Sequence, residues 1–497
     1  MPSLSQIQQQ LSAILHWFVA QFEAVPWANL RDFWLVYVFD DRMLVAWFLP
    51  LVPVLFFAPR AHRKTAIVVS GLLFIAYVWG VFHACFWIAI CYAFFRLSEA
   101  FAVECRRTDV NPLGPPLVAG TIIVAAHVAF FNLHRWIVLP SAAEAWLHAN
   151  LPWLYPYAAR GFLWEPPELP GLDPKRLFDL YFPYFAHAAG TAYLIVRMTH
   201  YFGEIKKGTI RTEDRSFARF MAWLCYAPNF MQGPIELYPE FQSQLERWQD
   251  QRSLAAGLYG LWRIALGIAK SLFCAIWLDP HISRPLYIGP YYTQPELIES
   301  NAFLYFGVFL QIFGLYLQFS GYCDISAGIA WIIGYRQIEN FAMPWFATSL
   351  RDFWRRWHIS LSSILRDYVY IPLGGSRTGV PVINLMLTFG ICGLWHAYLP
   401  QMWWWGVLMG LMLWINQVWH DRMSRLDKLD LATATGPGAV AARVRRFWLR
   451  LRPLPQVCAW LLTQHAFVFS LVMFFGGMRG YRVIIEILRR ASSYMQG

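Results

Sequence analysis

Apolar runs broken by short polar intervals set the rhythm of this chain. Met43–Ala58, Ala66–Phe95, Pro116–Leu139, Leu180–Met198, Leu254–Leu278, Ala302–Gly334, Val380–Leu399, Met402–Trp419 and Val457–Phe475 read as spans of a hydrocarbon layer about 30 Å thick. Ala66–Phe95 holds no Asp, Glu, Lys or Arg. One straight helix over it would reach about 45 Å, so two shorter helices with a turn near Gly80 are expected. Phe217–Pro234 is apolar but contains Pro228, Gly233 and Pro234, which predicts a broken or re-entrant segment whose backbone must face protein or water. At the start, Leu4, Ile7, Leu11, Ile14, Leu15, Phe18 and Phe22 recur at helical spacing and predict an amphipathic helix.

Composition sharpens this reading. Of 497 residues, 58% are apolar and 14% charged, against about 45–50% and about 25% in a soluble domain. Mean hydropathy is +0.38. Disorder, a coiled coil and a conventional soluble enzyme are excluded, and an all-α polytopic membrane protein remains. The net charge of +11 is no nucleic-acid signature, because the basic residues cluster between apolar runs. Arg60, Arg63 and Lys64, then Arg106 and Arg107, Lys206–Arg215, Arg336–Gly379 and Asp421–Pro455 fall on one side if Phe217–Pro234 does not cross. The positive-inside rule places that side in the cytoplasm and the N-terminus outside. The tail departs from the pattern: Arg479, Arg482, Arg489 and Arg490 would lie outside unless the tail re-enters. The N-terminus lacks a basic n-region, so no cleavable signal is expected. The eight Cys are scattered without a CxxC pair, which favours buried thiols over a metal site.

Polar groups within apolar runs need a reason. Asp324 is the lone charge in its span, and Arg263 and Lys270 share one helix face; an ion pair and a polar cavity are both open. Gly307, Gly314, Gly321 and Gly328 recur every seven residues and predict a seam for close helix packing. His396 lies at a span end, and His358 follows Arg355, Arg356 and Trp357. A neutral imidazole at membrane depth can act as a base. Gly374-Gly375-Ser376-Arg377 lacks P-loop spacing.

The runs Phe353–Ser362, Leu365–Gly375 and Gly393-Leu394-Trp395-His396 resemble the membrane-bound O-acyltransferase (MBOAT) family, in particular its bacterial branch of alginate O-acetyltransferase membrane subunits and teichoic acid D-alanyl transferases. Phe230–Ile235 with Gln232, Gly260–Asp279, Phe319–Asp324 and Glu339-Asn340-Phe341 with Pro344 resemble further segments in the same order, over about Met221–Trp419. Gln318 stands where the family usually has the first Asp of DFSGYSD, and Ala397 replaces the usual Gly after the active His. The resemblance implies an MBOAT-type helical core with re-entrant segments and a central funnel or tunnel. It makes His396 the essential catalytic residue and His358 its assistant. Asp324, Gln318, Lys270, Arg263, Trp357, Arg355, Arg356, Trp395 and Gln232 are the expected channel or supporting residues.

The expected layout is an amphipathic helix over 1–30, transmembrane helices over 31–200 with an external loop 140–179, a catalytic core over 201–420, a basic cytoplasmic loop over 421–456 and C-terminal helices over 457–497. The expected activity passes an acetyl or similar short acyl group from a cytoplasmic acyl-CoA or acyl-carrier thioester to an extracytoplasmic hydroxyl, for exopolysaccharide O-acetylation at a bacterial inner membrane. No bound cofactor, metal or nucleic acid is expected. An extracytoplasmic SGNH-hydrolase-like partner and a polysaccharide acceptor are. D-alanyl or lipid O-acyl transfer, and a transporter using Asp324, Arg263 and Lys270, are the alternatives.

Overall fold

The computed structural model describes residues 49–79, 81–105, 193–230, 233–274, 294–377, 380–396, 400–430, 435–476 and 480–496, with isolated positions between them. The expected amphipathic helix 1–30, the span Pro116–Leu139, the loop 140–179 and Gln232 lie outside the described residues. Among the described residues the regular structure is helical throughout, with no strand.

The helices are α1 (Leu49–Phe57), α2 (Arg63–Trp79), α3 (Val81–Cys105), α4 (193–207), α5 (Phe217–Leu224), α6 (Tyr238–Arg247), α7 (Leu254–Phe273) and α8 (Asn301–Ile333). After them come α9 (Leu350–Arg356), α10 (Ile359–Leu365), α11 (Pro381–His396), α12 (Pro400–Asp427), α13 (Gly436–Arg450), α14 (Leu454–Gly476) and α15 (Tyr481–Gln496). The uncharged run is shared between two helices, α2 ending at Trp79 and α3 starting at Val81, as expected, but α3 continues ten residues past Phe95. Among the described residues, Asn301–Ile333 and Leu454–Phe474 are long and apolar enough by themselves to cross a bilayer, and Pro381–His396 is apolar but shorter.

Serine hydroxyls start several helices. Ser216, Ser253, Ser300 and Ser349 each accept a hydrogen bond from the backbone N–H three residues on, satisfying one of the orphan donors of α5, α7, α8 and α9. α8 stops at Gly334, whose φ of 93° suits glycine. The chain then reverses and runs back along α8 in irregular conformation. Gln337 meets Ser326, Asn340 meets Cys323, Phe341 meets Phe319 and Trp345 meets Phe313 in turn.

Close backbone approach holds the central pair α7 and α8. A Cβ on Gly260 would lie 2.6 Å from the Gly328 carbonyl oxygen, and one on Gly321 2.9 Å from that of Gly267. Gly307 and Gly314 face side chains of Leu286, Tyr291 and Leu278 at looser distances. The seven-residue seam therefore requires glycine at only two of its four positions. Overpacking costs about 1–3 kcal/mol; Gly328→Val is expected to lower the unfolding temperature of the detergent-solubilised protein by several degrees, and Gly307→Ala to change it little. α11 and α12 form a second tight pair, antiparallel, with Gly393 against the Met402 carbonyl and Gly410 against Leu385.

Phe217–Pro234 is broken as expected: α5 ends at Leu224 and a turn follows at Ala227–Asn229. Buried Arg197 of α4 supplies the donors that the lost helix would have provided. It donates to the carbonyls of Leu224 at 3.1 Å and Asn229 at 3.0 Å, and lies over the Trp223 ring. Such internal satisfaction is what allows irregular backbone at membrane depth.

One expectation changes. The segment 421–456 is mostly helix rather than loop, comprising the end of α12 and all of α13, tied by Arg445 to Asp427 at 2.7 and 2.8 Å. Its charges lie on amphipathic turns, whose apolar stripe buries Ala439 and Ala442. The tail forms α15, whose Arg490 donates to the Ile298 carbonyl and Asn301 Oδ1, so this helix packs against the loop before α8.

Candidate functional site

His358 sits between α9 and α10 in a left-handed conformation, φ 44°. It is 3% exposed. Its Nδ1 lies 3.2 Å from Asn340 Oδ1. That oxygen also accepts from the Ser360 backbone N–H at 3.2 Å and the Ser360 hydroxyl at 2.9 Å. The Ser360 N–H can only donate, which fixes the Asn340 amide orientation. Nδ1 of a neutral His358 therefore carries the hydrogen, and Nε2 is an acceptor. Among the described residues Nε2 has no hydrogen-bond partner.

His396, the last residue of α11, is exposed. Its ring packs edge-on against Phe474 of α14 at 5.1 Å and Trp405 of α12 at 5.9 Å. Trp395 joins the two histidines: its ring is 4.7 Å from that of His396 and 6.1 Å from that of His358, between centroids. Tyr193 and Phe319 close the apolar side of His358. Because α14 ends and α12 begins beside His396, that ring lies toward the face occupied by α15 and the loop before α8.

Arg263, Lys270 and Asp324 form an ion-pair network rather than an open polar path. Arg263 Nε donates to Asp324 Oδ1 at 2.7 Å, and Lys270 Nζ to Asp324 Oδ2 at 2.5 Å. The other edge of the guanidinium grips Glu339 at 2.6 and 3.0 Å. Two cations thus balance two carboxylates, and Asp324 is only 6% exposed. Buried charge is tolerated under that condition. The Gly260–Gly328 and Gly267–Gly321 contacts bring the helices near enough for short Asp324 to reach both cations.

The remaining expected residues separate. Arg356 ties Asp352 at 3.0 Å, and Arg355 is exposed and borders a different cavity; neither is placed beside the histidines. The left-handed turn at His358 points the chain away from the Arg pair although they adjoin in sequence. Trp357 is a packing residue, stacked on Phe353 at 5.7 Å. Gln318 is exposed. Sequence reasoning gave no role to Asn340, which orients His358, or to Glu339, which completes the charge balance. The one signal for them was the Glu-Asn-Phe triplet that carried part of the resemblance.

The profile of MBOAT, membrane-bound O-acyltransferase family, matches residues 130–443. Among curated proteins, a probable alginate O-acetylase of Azotobacter vinelandii is 30% identical over 303 residues, covering 60% of this chain and 52% of that protein. A peptidoglycan O-acetyltransferase of Helicobacter pylori is 28% identical over 253 residues, 50% of this chain and 42% of that protein. A teichoic acid D-alanyltransferase of Bacillus subtilis is 26% identical over 222 residues, 43% of this chain and 54% of that protein. The matched region spans about half the length of these relatives.

Proposed function

Because the chain belongs to the membrane-bound O-acyltransferase family, we propose that it moves an acetyl or similar short acyl group from a cytoplasmic thioester to a hydroxyl met from the extracytoplasmic side. The observation that carries this reading is the pairing of an exposed histidine with a buried one whose Nε2 lacks a partner, across Trp395. His396 acts as the general base. It takes the hydroxyl proton as the oxygen attacks the thioester carbonyl, forming the C–O bond; collapse breaks the C–S bond, and the leaving thiolate recovers the proton from the imidazolium. Positioned proton transfer of this kind contributes roughly 10²–10⁴-fold. His358 Nε2, an acceptor, suits the acceptor's hydroxyl rather than the thioester carbonyl, so it orients the nucleophile. A funnel with re-entrant walls would admit the two substrates from opposite faces and keep water from the acyl group.

The acceptor is an exopolysaccharide, reached at a bacterial inner membrane through an extracytoplasmic SGNH-hydrolase-like partner. O-acetylases of polysaccharide and peptidoglycan among the relatives support that class. The D-alanyltransferase relative favours D-alanyl as the second choice of acyl group. Membranes holding the chain, its expected partner and the polymer are incubated with isotope-labelled acetyl-CoA. Label is expected in water-soluble polymer, and only where the chain is present. Label in lipid instead changes the acceptor; solute flux with no donor consumed overturns the proposal in favour of transport.

A further inference from the structure

A cavity of about 750 Å³ lies among α9, α12, α13 and α14, apart from the histidines. Asn416 on its wall is about 16 Å along α12 from Trp405, the residue beside His396. Phe353, Trp354, Trp357, Phe389 and Phe467 pack between the two places, with Phe353 and Phe467 centroids 3.9 Å apart and Trp354 and Phe389 4.9 Å apart. That aromatic layer separates the cavity from His396 among the described residues.

The walls are mostly apolar, and one side is open. Ile415, Trp419 and Leu462 line it with exposures of 53, 62 and 71%. In a membrane-spanning chain, an opening flanked by such residues faces the bilayer. The polar end holds Arg351, Arg355, His420 and Arg445. Its carboxylate, Asp352, is engaged by Arg356, and Arg445 by Asp427. Arg351 and Arg355 have no carboxylate partner among the described residues, which leaves the end with surplus positive charge. These arginines belong to the face that the positive-inside pattern puts in the cytoplasm.

We propose that this cavity is a binding site for an anionic phospholipid of the cytoplasmic leaflet, with the headgroup phosphate at Arg351 and Arg355 and an acyl chain along Ile415, Trp419 and Leu462. Basic pockets between membrane helices on that side recognise such headgroups. Charge complementarity selects the head, and the lateral opening admits the tail. The site does not depend on acyl transfer and would stand without it.

The test uses the delipidated full-length chain in detergent, titrated with phosphatidylglycerol or phosphatidylcholine and read by native mass spectrometry. Phosphatidylglycerol is expected to bind with roughly tenfold preference. The double variant Arg351→Ala/Arg355→Ala should bind both lipids equally. Ala459→Trp, which fills the cavity from α14 and leaves both arginines in place, should lose phosphatidylglycerol at concentrations that saturate the unaltered chain. Equal binding by the unaltered chain overturns the proposal. So does a preference that survives in both variants, or displacement of phosphatidylglycerol by equimolar acetyl-CoA, which would make the cavity a donor site.

Discussion

Replacing His396 by alanine lowers acyl transfer at least about 100-fold, the lower bound for a lost general base, while the purified protein unfolds within a few degrees of its original temperature. The second half of that expectation follows from exposure. The ring is exposed and packs against the edges of Trp405 and Phe474 beside its neighbour Trp395, so its removal leaves these large rings to cover the site. His358→Ala should behave differently. That ring is buried among Phe319, Tyr193 and Trp395, and its loss leaves Asn340 Oδ1 without one donor. Activity and stability should therefore fall together, the latter by about 2–4 kcal/mol for a truncated buried ring and its hydrogen bond. The pair of variants is informative because of this asymmetry. Initial rates with labelled donor and thermal unfolding of the same preparations check it. His396→Ala retaining activity within about threefold would remove the imidazole from the chemistry.

Spacing alone revealed much of the helical frame. The break near Gly80, the discontinuous Phe217–Pro234 segment and the glycine seam on α8 all follow from steric rules that act within one helix or turn. What escaped involves partners distant in the chain. Arg197 caps carbonyls of Leu224 and Asn229 from another helix, and nothing near either end signals it. The return of the chain along α8 after Gly334 brings Asn340 to His358, eighteen residues further on. Gly260 and Gly267 of α7 also stand seven apart, but that they pack against Gly328 and Gly321 of α8 is a pairing of two helices that spacing within either one does not signal. Arg355 and Arg356 mislead for the opposite reason: adjacency suggested a shared site, and one left-handed residue turns them elsewhere. Within 421–456, density of charge concealed an amphipathic stripe that makes α13 a helix.

Asp324→Leu should destabilise the protein by about 3–5 kcal/mol, the cost of leaving buried charge without its partner, and Asp324→Leu with Lys270→Met should recover most of that loss. The reasoning is charge balance. With Asp324 gone, Arg263 still holds Glu339, but among the described residues Lys270 Nζ keeps only the Ser320 hydroxyl at 3.2 Å. Converting Lys270 to methionine removes the stranded cation, keeps an apolar stem of similar length against Tyr316 and leaves one cation facing one carboxylate. Replacing a complete buried pair by apolar groups is often neutral. The network reaches the histidines through Glu339, whose neighbour Asn340 sets the His358 tautomer, so the single variant should also reduce transfer and the double variant restore it in parallel. Thermal unfolding and initial rates measured on both proteins decide the matter. If the double variant is as unstable as the single one, Asp324 serves something other than Lys270 and Arg263, and a permeation path through these residues becomes the better account.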